Sequence, residues 1–143
     1  MTNKLALMVG CNYRGTDCQL NGCLNDVENL KEVLLNKFHY DSNNITVLTD
    51  DSVGELYPNR KNILTELDKL IERVNLEKIE EVWFSFSGHG SSIRDREGDE
   101  SDGYDECIIP LDYQKNGVIT DDMFFRLFGK IKNPSCKLTL FFD

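Results

Sequence analysis

Residues 82–86, Val82-Trp83-Phe84-Ser85-Phe86, form an aromatic and β-branched run that ends in Gly88-His89-Gly90. The run reads as a buried strand, and its ending reads as a turn that lifts one side chain out of the sheet edge. Glycines on both sides let the backbone bend there without a steric penalty. Three other apolar runs resemble it: 5–9, 45–49 and 137–142. Between them the period changes to that of a helix. Val27, Leu30, Leu34, Leu35 and Phe38 share one face, with Asn25 or Asp26 as the expected cap. Ile63, Leu64, Leu67, Leu70, Ile71 and Val74 share another, after Asn59. Met123, Phe124, Leu127 and Phe128 follow Thr120. Residues 91–105 read as a long charged loop and 106–110 as a short strand stopped by Pro110.

Strands alternating with helices predict an α/β fold: a mainly parallel sheet with helices on both faces. The length of 143 residues predicts one domain, 1–143. The last strand finishes at Asp143 with no helix after it. An open α/β sheet ordinarily continues, so the sequence reads as a piece of a longer domain, incomplete at its C-terminus.

Ligands in open α/β sheets sit at the carboxyl ends of strands. His89 stands at such an end, where an imidazole is a candidate acid–base group; a structural histidine in a tight turn is the alternative. The net charge of −9 argues against a nucleic-acid footprint, which needs a clustered basic face. It suits cationic substrates or metal ions. Five cysteines, an odd number with no C-x-x-C spacing, argue against a zinc or disulfide framework. The N-terminal apolar run is too short for a signal or a membrane span, so the default expectation is the cytoplasm, with the nucleus as the alternative.

Carboxylates crowd residues 95–106. Such a loop is either solvated or gathered around a hard cation. The EF-hand spacing fails, because Gly103 at the turn position puts Gly98 first and Ile109 last. Asp121-Asp122 form a second acidic pair, which can also be read as favourable charge at a helix start. Asp26 follows Gly22-Cys23-Leu24-Asn25 and can be read as a simple cap. Asp143 lies on the same sheet edge as His89.

Together these blocks resemble a known family. Gly10-Cys11-Asn12-Tyr13, Leu20-Asn21-Gly22-Cys23-Leu24-Asn25-Asp26, Ser87-Gly88-His89-Gly90, residues 98–106 and Leu138-Thr139-Leu140-Phe141-Phe142-Asp143 are similar, in order, to the large-subunit region of metacaspases. Metacaspases are caspase-like cysteine peptidases of plants, fungi, protists and bacteria. The resemblance implies a His–Cys dyad in which His89 is the histidine. The nucleophilic cysteine of the family lies two residues after the aspartate matched by Asp143, so none of the five cysteines here matches it. The backbone N–H of Gly90 would help to hold the oxyanion. The resemblance further implies cleavage after Arg or Lys. Asp26 and Asp143 would form the acidic pocket, with Cys23 and Ser87 lining it. Asp105, Asp121 and Asp122 match positions that bind activating Ca²⁺, though some members need none. The implied partners are protein or peptide substrates, with no nucleic acid and no membrane, and the implied state is a monomer.

Two readings compete with that of a calcium-activated, Arg/Lys-directed cysteine endopeptidase. One is a non-enzymatic calcium- or protein-binding module. The other is a phosphoacceptor domain built on Asp143 and Asp50-Asp51, which needs acids after the first strand where this chain has Gly10-Cys11-Asn12.

Overall fold

The computed structural model describes residues 3–94 and 104–143, without the side chains of 92–94 and 104–105. Most of the acidic loop discussed above therefore lies outside the described residues. The elements in chain order are β1 (Lys4–Gly10), α1 (Cys23–Asn36), β2 (Ile45–Thr49), α2 (Arg60–Leu76), β3 (Glu81–Ser87) and β4 (Gly90–Arg94). They continue with β5 (Tyr104–Ile108), α3 (Tyr113–Asn116), β6 (Ile119–Thr120), α4 (Asp121–Phe128) and β7 (Lys137–Phe142).

β1, β2, β3 and β7 form a parallel sheet in the order β2-β1-β3-β7. In β1 the side chains alternate between two cores, which is why the strand is apolar from Leu5 to Val9. Leu5, Leu7 and Val9 meet Ile63, Leu67 and Ile71 of α2 on one face, together with Phe124 and Phe128 of α4. Ala6 and Met8 meet Val27 and Leu34 of α1 on the other. β3 follows the same rule. Phe84 packs against Phe124 at 5.2 Å between ring centroids, whereas Trp83 stacks on Phe141 at 5.8 Å. The expected mixed α/β architecture, a mainly parallel sheet flanked by helices on both faces, is the one observed.

Two local expectations need correction. Residues 91–105 are not all loop: Gly90–Arg94 pairs antiparallel with Tyr104–Ile108, which in turn pairs with β6. The resulting small sheet stands beside the main one. β4 has a single apolar residue, Ile93, so only its distant partner makes it a strand. The start of α1 also differs. The helix begins at Cys23, Gly22 stands at the N-cap, and no side chain within the helix caps it. The oxygen Oδ1 of Asn12 accepts the Cys23 N–H at 3.0 Å instead. Asp26 is thereby left in the first turn, without a capping role. Asn59 and Thr120 cap α2 and α4 as expected, accepting the N–H groups of Asn62 and Met123. Among the described residues, no helix is long and apolar enough to cross a membrane.

Candidate active site

Strand register assembles the site. Gly10 of β1 lies beside Ser87 of β3, and Phe86 lies beside Phe142 of β7. The segments that follow these strands, beginning at Cys11, Gly88 and Asp143, therefore emerge at one edge. Gly88 donates its N–H to the Asp143 carbonyl at 3.3 Å, and Asp143 donates to the Phe86 carbonyl at 3.0 Å. The turn after β3 is too tight for a side chain at its first residue. A Cβ on Gly88 would stand 2.8 Å from the Phe86 ring and 2.9 Å from the Tyr13 hydroxyl.

His89 is held on several sides. Its backbone N–H donates to the Tyr13 hydroxyl at 3.0 Å, and its carbonyl accepts from Ile109 N–H at 3.1 Å. The imidazole lies against the Tyr13 ring, with centroids 4.8 Å apart. Its Nε2 is 2.6 Å from the Cys18 carbonyl. A carbonyl only accepts, so Nε2 carries the proton and Nδ1 is left to exchange one. Gly90, at the start of β4, is exposed, and a Cβ there would come within 3.2 Å of the Cys107 carbonyl.

The acids at this edge meet as well. The Asp26 carboxyl faces that of Asp143, and this neighbour raises the Asp26 pKa above its ordinary value. Burial and the Asp143 charge push it the same way. Two carboxylates this close repel, and a cation between them relieves that repulsion. Cys23, in the first turn of α1, is buried, and its thiol pKa is raised by that burial, then by Asp26 and Asp143. A thiol held protonated in this way is a poor nucleophile. Burial likewise raises the thiols of Cys11 and Cys136. Ser87 is buried, and its hydroxyl has no hydrogen-bond partner among the described residues. An unsatisfied hydroxyl of this kind fits a surface built to meet a polar ligand.

The other expected acids lie across the site. Asp121 and Asp122 occupy the first turn of α4, and Asp121 accepts the Asp122 N–H at 2.9 Å. Cys107 pairs with Thr120, so the strand carrying Asp105 runs beside the start of α4. The Asp105 side chain lies outside the described residues. Two neighbouring carboxylates with a third acid on the adjacent strand are oxygen ligands of the kind a hard cation takes. Among the described residues, no three His, Cys, Asp or Glu side chains are grouped to hold a metal ion. Asp121 and Asp143 both line a cavity of about 700 Å³, whose walls include Phe86, Ile108 and Phe142.

Three residues on this edge had no role assigned from sequence, Asn12, Tyr13 and Cys18, and Asp50 entered only in the phosphoacceptor reading. Asp50, just beyond β2, accepts the Asn12 N–H at 2.7 Å and the Arg14 N–H at 3.5 Å. It thus anchors the loop that carries Tyr13 and Cys18 to His89. Arg14 pairs with Asp51 at the surface. The dipeptide Asp50-Asp51 at a strand end was the available signal.

The chain is similar to Metacaspase-1 of Yarrowia lipolytica, with 41% identity over 141 residues, covering 98% of this chain and 30% of that protein. It is 38% identical to Metacaspase-1 of Sclerotinia sclerotiorum, covering 98% of this chain and 32% of that one. The chain thus spans about a third of the length of these relatives. Its fold is similar to that in the crystal structure of protein GSU0716 from Geobacter sulfurreducens. The TM-score is 0.69 at 24% identity, covering 98% of this chain and 49% of the other. The profile described as "Metacaspase, peptidase C14 domain" matches residues 4–143. With His89, Asp26 and Asp143 gathered at one sheet edge, and with that match running from the first strand to the last residue, the chain belongs to the metacaspase family.

Proposed function

We propose that the chain is the histidine-bearing part of a cysteine endopeptidase that cuts protein or peptide substrates after Arg or Lys. The observation that carries this reading is the Asp26–Asp143 carboxyl pair on the edge that carries His89. A planar guanidinium can meet two carboxylates at once, and it relieves their repulsion. Cys23 and Ser87 line the same pocket. In the complete protein a cysteine following Asp143 supplies the thiol. Its thiolate attacks the scissile carbonyl and His89 protonates the leaving amine, so the peptide C–N bond breaks as the C–S bond forms. Water then attacks the acyl-enzyme, His89 takes up its proton, and the thiol is regenerated. The Gly90 N–H is the proposed donor to the oxyanion.

Ca²⁺ is the proposed activator, held by Asp105, Asp121 and Asp122, where it would neutralise their charge and fix the small sheet against α4. The active form is proposed to be a cytoplasmic monomer with neither nucleic-acid nor membrane partners.

The test is a peptide library presented to the complete protein. Cleavage after Arg and Lys, lost in His89→Ala, is expected. Equal cleavage after Asp and Arg would overturn the pocket assignment. Asp122→Ala should remove the response to Ca²⁺ while leaving Arg-directed turnover measurable. Activity indifferent to chelator, with no heat of Ca²⁺ binding at millimolar concentration, rules the calcium role out. The 143-residue chain alone should show no turnover, as the resemblance places the nucleophile beyond it.

A further inference from the structure

We propose that Tyr13 is a positioning residue for His89, with its hydroxyl tying the His89 backbone to Ile109 and its ring forming a wall for the imidazole. The inference rests on the peptidase reading above and extends it to a residue outside the dyad and the pocket. Tyr13 is 2% exposed, so its hydroxyl must find partners inside the protein. It finds two: it accepts from His89 N–H at 3.0 Å and donates to the Ile109 carbonyl at 2.6 Å. Ile109 N–H returns a bond to the His89 carbonyl at 3.1 Å. The tyrosine thus closes a ring of hydrogen bonds around the turn that presents the imidazole. Gly88 leaves the room this needs, since a Cβ there would reach the hydroxyl.

The backbone of Tyr13 supports the same conclusion. Its φ is 54°, in the left-handed region that bulky residues seldom occupy. Such an outlier persists only where its surroundings hold it, and it collects at working sites. Here Thr16 Oγ1 donates to the Tyr13 carbonyl at 2.7 Å, and Asp50 accepts the N–H groups on either side. The same loop delivers the Cys18 carbonyl to Nε2 of His89 at 2.6 Å. With the turn anchored below and the ring packed alongside, the imidazole is held in the one orientation that reaches this carbonyl.

NMR on the complete protein tests the proposal without any need for activity, and the exposed His39 is the internal control. In the wild type, the His89 imidazole N–H and the His89 amide should exchange slowly. Tyr13→Phe keeps the ring and deletes the hydroxyl. It should speed His89 amide exchange at least tenfold and broaden or remove the imidazole N–H signal, leaving His39 and the amides of β1 unchanged. Unaltered His89 signals in that variant would overturn the proposal. So would a wild-type spectrum with no contact between a Tyr13 hydroxyl proton and the His89 amide, a measurement that needs no variant to fold. In the complete enzyme, Tyr13→Phe should lower kcat by about ten- to a hundredfold with KM for an Arg peptide unchanged. Equal kcat in variant and wild type counts against Tyr13 alone. A wild type without turnover counts against the peptidase reading and leaves the NMR result standing.

Discussion

Replacing Gly88 by alanine tests how tightly the His89 turn is built. The added methyl would lie 2.8 and 2.9 Å from two atoms of the Phe86 ring and 2.9 Å from the Tyr13 hydroxyl. All three distances are too short for a carbon, so the neighbours must move. Phe86 and Tyr13 are each 2% exposed and have little space to move into. Overpacking of this kind costs about 1–3 kcal/mol. A displaced hydroxyl also weakens its bonds to His89 and Ile109, at about 0.5–1.5 kcal/mol each. Alanine limits the unfolded chain more than glycine does, which returns about 0.4–1 kcal/mol. The expected net loss is about 2–4 kcal/mol, a large part of a typical domain's 5–15 kcal/mol. Urea unfolding followed by tryptophan fluorescence measures it, with Trp83 as the only reporter of its kind. The midpoint should fall with an unchanged slope. A loss below about 1 kcal/mol would show that the turn has slack, and the packing account of Gly88 would fail.

Three further predictions use other parts of the same edge. Asp50→Ala removes the acceptor of the Asn12 N–H and should cost about 1.5–3 kcal/mol, with faster exchange of the Asn12 amide; an unchanged exchange rate would refute the anchoring role. Phe84→Ala empties a fully buried position ringed by Phe124, Phe128 and Phe142, and should cost about 3–5 kcal/mol in the same urea assay. Asp26→Asn should change the pH dependence of stability. A carboxyl whose pKa rises on folding adds stability that is full below its ordinary value, near 3.8, and is lost as pH climbs through the raised one. The asparagine variant should therefore gain on the wild type from pH 4 to pH 7.5, by a small amount because Asp26 is partly exposed to water. A wild type that gains instead would contradict the raised pKa of Asp26.

The parallel sheet and its three main helices were legible because each carries its own periodicity. Residues 5–9, and all of 82–86 but Ser85, are apolar since both faces are covered, and Ile63, Leu67, Leu70 and Val74 repeat at helical spacing since one face is. The small sheet was less legible. β4 holds Gly90, two serines, Ile93 and Arg94, and no local rule makes that a strand; its partner β5 does. The cap of α1 was missed for a related reason. The sequence points to Asn25 or Asp26, but the acceptor comes from Asn12, eleven residues before Cys23. His89 could be found from its flanking glycines. The contact between Asp26 and Asp143 joins residues 117 positions apart, and only likeness to a family suggested it.

The missed residues share a physical cause that also ties the site together. Asn12, Tyr13 and Cys18 belong to one polar loop, and none of them follows a periodic pattern. Each acts through a backbone group or a single side-chain atom that reaches a different element. Asp50 holds the loop to β2, Asn12 joins it to the start of α1, and Tyr13 and Cys18 join it to His89. The start of α1 carries Cys23 and Asp26. One loop therefore sets both the imidazole and one wall of the acidic pocket, so a displacement at Asp50 should be felt at both. The carboxyl pair pulls the other way. Beside the Asp143 carboxylate the Asp26 pKa is raised, so keeping Asp26 charged at neutral pH lowers stability. A rigid loop is what keeps two such acids together. If the pocket takes a guanidinium, as proposed, the energy held in that repulsion is released on binding, and removing either acid should stabilise the fold while weakening the use of basic substrates.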